Sequence, residues 1–271
     1  MALAYGVAVT DAGIAQLVSG KTALVTGAGR GLGKAIASRL SAAGANVVVN
    51  DIDSVTAAQT VAEIVEGGGS ACVAVADIGD EDAVQAMVAT AVSTYGRLDL
   101  ACNNALPEVR LSEMRDLDVD YARSLMSVAL LGTAMCLKYE IAAMQEHGGA
   151  IVNISSTASV RGQKRTGFYA ACKAGIEAMT RVAANENARK QLRVNAIQAG
   201  GMLTPALTEM FLKSDERRRE MNARVPLGRI ADPEDVADVA LFLLSDLARY
   251  VTGTVVAADG GGLLHTDGAT G

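Results

Sequence analysis

The chain carries its clearest structural signal in Lys21-Thr22-Ala23-Leu24-Val25-Thr26-Gly27-Ala28-Gly29-Arg30-Gly31-Leu32-Gly33. The first half of this run is short and apolar, which predicts a β-strand, and a helical stretch follows from Lys34 to Ala43. A glycine-rich turn between a strand and a helix lets the backbone approach a pyrophosphate, and the helix N-terminus offers free N–H groups. The order of strand, turn and helix therefore favours a dinucleotide-binding turn over a merely flexible one.

Strand and helix signals alternate along the rest of the chain. Further strands are predicted at 47–49, 71–76, 98–102, 151–154, 193–197 and 254–257, and further helices at 116–146, from Tyr169 to about Lys190, and at 233–244. This alternation predicts an α/β fold whose parallel sheet has right-handed crossovers. No repeat or linker interrupts it, so a single domain is expected. Ligands bind such sheets beyond the carboxyl ends of the strands.

Composition narrows the class of protein. Of 271 residues, 50% are hydrophobic but only 3% are aromatic, which fits aliphatic strands covered by helices on both faces. The net charge of −6 offers no basic surface for nucleic acid. The N-terminal segment lacks the basic residues of a signal peptide, and no uninterrupted apolar window reaches the about eighteen residues of a membrane span. A cytoplasmic protein that binds no membrane is expected.

Cysteine and histidine are sparse. The cysteines form no Cys-x-x-Cys pair, so they are expected to be small buried hydrophobes in a reducing compartment; they are Cys72, Cys102, Cys136 and Cys172. His147 and His265 are the only histidines, and no cluster suggests a catalytic transition-metal site. This argument leaves carboxylate-bound Mg²⁺ or Ca²⁺ open, and no metal is assigned.

A second motif indicates proton-transfer chemistry. Asn153-Ile154-Ser155-Ser156 is followed by Tyr169-Ala170-Ala171-Cys172-Lys173. A tyrosine and a lysine four residues apart share one helix face, so the ammonium of Lys173 is expected to lower the pKa of Tyr169. This would bring a phenol of pKa about 10 toward working pH, where a general acid/base is most effective. With a serine hydroxyl nearby, the trio suits proton transfer at an alcohol or carbonyl oxygen.

Together these motifs resemble the short-chain dehydrogenase/reductase family over about residues 19–264. The matching residues are Thr26-Gly27-x-x-x-Gly31-x-Gly33, Asp77, Asn103-Asn104-Ala105, Ser156, Tyr169-x-x-x-Lys173 and Asp259-Gly260-Gly261. The resemblance implies a Rossmann-type, doubly wound, seven-stranded parallel sheet in one domain at 19–271, after an N-terminal extension at 1–18. It also implies a nicotinamide cofactor, hydride exchange between an alcohol and a ketone, and Ser156, Tyr169 and Lys173 as catalytic residues. A homotetramer or homodimer is expected, with the 116–146 and Tyr169 helices at the interface.

The resemblance also assigns cofactor contacts. Asp77 and Ile78 would contact adenine, Asn104 would mainly tie the fourth strand to its neighbours, and Met202 with Thr204 would hold the nicotinamide carboxamide. An N-cap role for Thr204 before Pro205 is compatible with that contact. The expected set is Gly27, Arg30, Gly31, Leu32, Gly33, Asp51, Ile52, Asp77, Ile78, Asn104, Tyr169, Lys173, Gly200, Met202 and Thr204.

Asp51 bears on the choice between NAD and NADP. It ends the second strand, where a carboxylate accepts hydrogen bonds from the adenosine ribose and repels a 2′-phosphate. NAD is therefore expected, although Arg30 in the glycine turn is a competing signal for a 2′-phosphate. A capping or turn carboxylate is the alternative interpretation of Asp51.

Three residues depart from the family pattern. Leu106 stands where a glycine is usual, and it is expected to crowd the loop beside the cofactor or to face the substrate. Ala199 replaces a proline before Gly200, which is expected to loosen the nicotinamide loop. Ala129 replaces a helix asparagine that helps to hold a proton-relay water, so an active enzyme with an altered relay is expected.

The predicted function is NAD-dependent interconversion of a secondary alcohol and a ketone. Residues about 203–227 are expected, by resemblance, to form a mobile cover over the substrate. Adaptable side chains there favour a lipophilic or cyclic substrate, unless they serve ordinary packing; they are Met202, Met210, Phe211 and Met221. Further pocket candidates are Leu106, Pro107, Thr157 and Arg161. The alternatives are an NADP-dependent ketone or 3-oxoacyl reductase and a catalytically impaired dinucleotide-binding scaffold.

Overall fold

A seven-stranded parallel sheet forms the centre of the protein. The computed structural model describes residues 16–203, 208 and 214–264. The strands are β1 Thr22–Val25, β2 Asn46–Asp51, β3 Ser70–Val75, β4 Leu100–Asn103, β5 Gly149–Ser156, β6 Leu192–Ala199 and β7 Val255–Ala258. They lie in the order β3-β2-β1-β4-β5-β6-β7, and each paired neighbour is parallel. The predicted doubly wound Rossmann-type sheet is confirmed.

Helices cover both faces of the sheet. They are α1 Gly31–Ala42, α2 Ser54–Glu66, α3 Glu81–Tyr95, α4 Val119–Met144, α5 Gly167–Asn187, α6 Asp215–Ala223 and α7 Pro233–Leu244. The predicted bounds of α7 are confirmed. The middle of α4, Met126–Gly132, is π-helical, which the sequence pattern did not predict.

Two apolar layers sandwich the sheet. Residues of α1, α2 and α7 pack on one face, and residues of α3, α4 and α5 pack on the other. Alanine and valine dominate both layers, because their small side chains let helices approach parallel strands closely. Val18 is fully buried in the first layer, so the packed chain begins slightly before residue 19.

The helix α4 is long and apolar. It is the one helix among the described residues whose length and composition would suffice to cross a membrane. It packs against α3 and α5, and it buries Leu125, Cys136 and Met144 in the protein interior. Its place in the core therefore accounts for part of its apolar character, since 44% of its most apolar window is buried.

The carboxyl ends of the strands meet along one edge of the sheet. β1 and β4 are neighbours, with Val25 paired to Cys102, and they form the point at which the strand order reverses. The glycine turn follows β1, and Ser156 ends β5 one strand beyond β4. The topology thus brings the two sequence motifs to the same edge, where ligands bind in open α/β sheets.

Candidate active site

The glycine turn is shaped for close approach to a ligand. Gly27 has φ +63°, and a β-carbon there would lie 2.8 Å from the Cα of Ala105. A β-carbon on Gly33 would lie 2.0 Å from the carbonyl oxygen of Gly27. The first turn of α1 contains no acidic residue and has no side-chain cap, so its N–H groups and positive dipole end suit an anion. These features fit the pyrophosphate of a dinucleotide.

Asn104 fastens the glycine turn to β4. Its Nδ2 donates to the carbonyl oxygens of Thr26 at 3.0 Å and Gly27 at 3.1 Å. Its backbone N–H donates to the Thr26 hydroxyl at 3.0 Å. The predicted structural role of Asn104 is therefore confirmed.

Asp51 lies at the base of the same turn. Its Oδ2 accepts from the N–H of Gly29 at 2.9 Å, and its Oδ1 accepts from the N–H of Asp53 at 3.1 Å. The side chain of Asp53, and not that of Asp51, caps α2. Arg30 and Ile52 are exposed on either side. Asp51 thus bridges β2 and the glycine turn, with the turn role that its alternative interpretation predicted.

Asp77 and Ile78 follow β3. The Asp77 carboxylate is exposed and accepts from the N–H of Gly79 at 2.8 Å. The Ile78 side chain is buried, and a β-carbon on Gly132 of α4 would lie 2.8 Å from the Ile78 carbonyl oxygen. Close packing against α4 fixes the backbone of this segment.

The Ser156, Tyr169 and Lys173 side chains come together where β5 meets α5. Ser156 ends β5, and its Oγ caps the short 3-10 helix Thr157–Ser159 by accepting from the N–H of Ala158 at 3.2 Å. Tyr169 lies in the first turn of α5, and Lys173 lies one turn later. The Lys173 Nζ is 5.9 Å from the centre of the Tyr169 ring and donates to the Ile154 carbonyl oxygen at 2.7 Å.

The electrostatics of the trio differ from the sequence-based expectation. Burial raises the pKa of Tyr169, the side-chain hydrogen bond with Ser156 opposes that rise, and the nearby Tyr121 adds to it. Burial lowers the pKa of Lys173 to about 8. The expectation that Lys173 lowers the pKa of Tyr169 is wrong for this structure. The ammonium is instead directed at the Ile154 carbonyl oxygen.

A buried polar cluster below Ser156 was not predicted. Ser155 turns away from the site and donates to Glu177 at 2.6 Å, which agrees with the choice of Ser156 over Ser155. Ser159 and Gln198 bond the same carboxylate. Two features of the sequence could have identified Glu177. It lies one helical turn after Lys173, and an acid on a buried helix face requires hydrogen-bond partners.

The three departures have defined surroundings. Leu106 packs against the same small apolar cluster as Tyr121 and Tyr169. Ala129 is buried in the π-helical stretch, and its carbonyl oxygen accepts from the Thr133 hydroxyl at 2.7 Å. Ala199 is paired within the sheet, opposite both Ser156 and Ala258.

The segment after β6 is partly described. Gly200 lies against Asp259, since a β-carbon on Gly200 would be 2.8 Å from the Asp259 Cα. Met202 forms an isolated parallel bridge with Ala231. Thr204 lies outside the described residues, as do Met210, Phe211 and His265.

Four loop segments, three of which follow the carboxyl ends of β4, β5 and β7, are bonded to one another. Leu106–Met114 is bonded to the loop before α5, through Ser112 N–H to Arg165 O at 3.1 Å. Arg161, in the loop between β5 and α5, donates to the Gly262 carbonyl oxygen at 3.1 Å. This contact holds the segment after β7 next to that loop. The N–H of Leu227 donates to Gly260 O at 3.1 Å. These segments carry exposed apolar side chains, namely Met114 (63%), Val160 (62%), Leu227 (76%) and Leu264 (83%).

The thiols and potential metal ligands take no visible part in this site. Cys102, Cys136 and Cys172 are buried and Cys72 is partly buried, as predicted, and all four thiols are free. The described part of the chain holds no group of three His, Cys, Asp or Glu residues that could bind a metal ion.

Comparison with known proteins bears on the class of protein. A family model described as Enoyl-(Acyl carrier protein) reductase matches residues 27–262. The chain is 39% identical over 247 residues to a 2,5-dichloro-2,5-cyclohexadiene-1,4-diol dehydrogenase of Sphingobium indicum, covering 90% of this chain and 97% of that protein. It is 40% identical over 243 residues to a cyclohexanol dehydrogenase of Acinetobacter sp., covering 89% and 94%. The solved structure of a short-chain type dehydrogenase/reductase from Mycobacterium ulcerans matches with a TM-score of 0.87 and 32% identity, covering 91% of each chain.

The fold and these relatives define an NAD(P)-dependent oxidoreductase. The chain belongs to the short-chain dehydrogenase/reductase family.

Proposed function

We propose that this enzyme interconverts a secondary alcohol and a ketone, with NAD as the cofactor and a lipophilic or cyclic substrate. The observation that carries the proposal is the grouping of Ser156, Tyr169 and Lys173 where β5 meets α5, on the sheet edge that also bears the glycine turn.

The proposed mechanism assigns the proton to Tyr169. When bound, a nicotinamide dinucleotide supplies the hydride acceptor for oxidation or the hydride donor for reduction. Ser156 Oγ holds the substrate oxygen, and the Tyr169 phenolate takes the hydroxyl proton during oxidation. In the reverse direction the Tyr169 phenol donates that proton to the carbonyl oxygen. The Lys173 ammonium is held by its hydrogen bond to the Ile154 carbonyl oxygen. It would also donate a hydrogen bond to the nicotinamide ribose.

The residues proposed to hold the dinucleotide follow the edge of the sheet. The glycine turn would bind the pyrophosphate. Asp51 and Ile52 would contact the adenosine ribose, and Asp77 and Ile78 would contact the adenine. The nicotinamide half would be held from Gly200, Met202 and Thr204. The Asp51 carboxylate favours NAD over NADP, because it would repel a 2′-phosphate.

Exposed apolar side chains on the loops support the proposed substrate class. Leu106 packs against the same apolar cluster as Tyr169, and Met114, Val160, Leu227 and Leu264 expose apolar surface on the four loop segments described above. A site of this kind gains binding energy by removing apolar substrate surface from water, at roughly 25 cal/mol per Å². The relatives named as dehydrogenases of cyclohexanol and of a cyclohexadiene-diol support a ring-shaped alcohol.

The proposal extends to the assembly and the location of the enzyme. Met126 and Leu131 of α4 and Val182 of α5 expose apolar side chains on the helices expected at the subunit interface. A homotetramer or homodimer would cover them. A cytoplasmic location fits the free thiols of all four cysteines.

A cofactor-swap assay tests the proposed function. Purified enzyme is incubated with cyclohexanol and related cyclic secondary alcohols and either NAD⁺ or NADP⁺, and reduced cofactor is followed at 340 nm, the usual absorbance band. Turnover with NAD⁺ that is lost in Tyr169→Phe is expected. A second candidate, an NADP-dependent ketone or 3-oxoacyl reductase, is favoured by the exposed Arg30 beside the glycine turn and would reverse the cofactor preference. NADH binding without turnover of any alcohol or ketone would instead indicate a scaffold protein.

A further inference from the structure

One oxygen of the Glu177 carboxylate accepts hydrogen bonds from three side chains close to Ser156. Glu177 Oε1 accepts from the Ser155 hydroxyl at 2.6 Å, from the Gln198 amide at 2.9 Å and from the Ser159 hydroxyl. Glu177 itself is only 5% exposed. A carboxylate oxygen suits this place, because it can accept several hydrogen bonds at once.

The donors come from the segments that carry the catalytic groups. Ser155 precedes Ser156 in β5, and its Oγ also lies 3.2 Å from the carbonyl oxygen of Lys173. Ser159 Oγ also lies 2.7 Å from the Ser156 carbonyl oxygen, so its single hydroxyl proton can be donated either to that oxygen or to Glu177. Gln198 belongs to β6, the next strand in the sheet.

The position of Glu177 on α5 completes the arrangement. It lies one turn after Lys173 and two turns after Tyr169, so all three share one helix face. The carboxylate therefore joins the helix that carries the acid/base to the strand that carries the serine. Loss of the carboxylate would remove the one acceptor that the three donors share. Each donor would then bond only within its own surroundings: Ser155 to the Lys173 carbonyl oxygen, Ser159 to the Ser156 carbonyl oxygen, and Gln198 to the Ser159 hydroxyl.

We propose that Glu177 is a positioning residue for the proposed alcohol–ketone reaction, holding Ser156 in register with Tyr169 and Lys173 through Ser155, Ser159 and Gln198. Glu177 touches none of the reacting atoms; it acts on the distance between β5 and α5. Small displacements at such a site are costly, since about 1 Å can reduce a rate 10²-fold. The proposal rests on the proposed function.

Glu177→Ala, Glu177→Gln and Ser159→Ala test the proposal against the control Glu140→Gln. Glu140 is an equally buried acid on α4, bonded to Asn103 and outside the cluster. Glu177→Ala should lower kcat for alcohol oxidation by about 10- to 100-fold, while the Kd for NADH changes by less than about threefold. Glu177→Gln keeps an acceptor oxygen and should recover at least about a tenth of the wild-type kcat. Ser159→Ala should lower kcat several-fold, and Glu140→Gln should leave it unchanged.

Hydrogen exchange of residues 154–166 gives a readout that does not need turnover. Faster exchange in Glu177→Ala than in Glu140→Gln supports the proposal, even if the wild-type enzyme turns over none of the alcohols and the proposed function itself fails. The proposal is overturned if kcat and exchange are unchanged, or if kcat and NADH affinity fall together in every folded variant. Should Glu177→Ala not fold, Ser159→Ala decides: a several-fold lower kcat with faster exchange than in Glu140→Gln supports the proposal, and unchanged kcat and exchange overturn it.

Discussion

Lys173 Nζ donates a 2.7 Å hydrogen bond to the backbone oxygen of Ile154. The contact ties α5 to β5 two residues before Ser156, and it directs the ammonium at a carbonyl oxygen near the Tyr169 ring. Burial lowers the pKa of Lys173 to about 8 and raises the pKa of Tyr169. In this state the phenol is the protonated form at neutral pH, ready to donate in the reduction direction.

The first prediction concerns the pH dependence of the two directions. Oxidation requires the Tyr169 phenolate, so its kcat/KM should rise with pH, by up to about tenfold per unit below the pKa of Tyr169. Ketone reduction requires the phenol and should not rise over the same range. Tyr169→Phe should lower both rates by about 10²–10⁴-fold. Initial rates in both directions from pH 6 to 10 would check this, and pH-independent oxidation would contradict it.

The second prediction concerns cofactor choice. Asp51→Ala removes the carboxylate that would repel a 2′-phosphate, so the ratio of kcat/KM for NAD⁺ to that for NADP⁺ should fall by at least about tenfold, or 1.4 kcal/mol. Asp53→Ala is the matched control. Its carboxylate lies two residues away and caps α2, so its loss should lower stability by about 1 kcal/mol without changing the ratio. An unchanged ratio in Asp51→Ala would assign Asp51 to the turn alone.

The third prediction concerns the link between β4 and the glycine turn. Asn104→Ala leaves two carbonyl oxygens of the turn without their donor, which should cost about 1–3 kcal/mol of unfolding free energy. The Kd for NADH should also increase, because the turn that would hold the pyrophosphate loses its anchor. Denaturant unfolding and NADH fluorescence titration measure the two effects. Asn187→Ala, which removes a buried side-chain bond to the Ala183 carbonyl oxygen at the C-terminal end of α5, should leave the Kd unchanged.

The fourth prediction concerns the proton relay. Ala129→Asn should change the rate and the pH profile of oxidation. The substitution adds a polar group to the buried π-helical stretch, in the apolar cluster against which Tyr169 packs. The larger side chain should also cost about 1–3 kcal/mol of stability. Ala122→Asn, at another buried position of α4, controls for that cost. If the rate and pH profile stay as in the wild type, Ala129 does not limit the relay.

The fifth prediction concerns stability as a function of pH. Glu140 is fully buried, and burial raises its pKa to about 7 in the folded protein. The folded state therefore binds more protons than the unfolded state between about pH 4.5 and 7, and the stabilisation is lost as pH rises through that window. Glu140→Gln should remove this loss, on the order of 3 kcal/mol. Denaturant unfolding at pH 5 and pH 7.5 measures it, and Glu81→Gln, at an exposed acid, should keep the wild-type slope.

Much of the fold followed from local patterns. Alternating strands and helices predicted the parallel sheet, and Pro233 marked the first residue of α7, because proline lacks an N–H that the first helical turn does not need. The interior of α4 was less predictable. A π-helical turn arises from one extra residue within a helix and leaves no periodic trace in an apolar run.

Within the site, the sequence by itself identified the glycine turn, Asn104 and the trio of Ser156, Tyr169 and Lys173, because short-range spacing controls which groups share a turn or a helix face. The tertiary structure alone decided where the ammonium of Lys173 points and which donors meet Glu177. Those contacts join residues from β5, β6 and α5, and burial rather than spacing controls their pKa values. Desolvation depends on the whole packed environment, so no local pattern contains it.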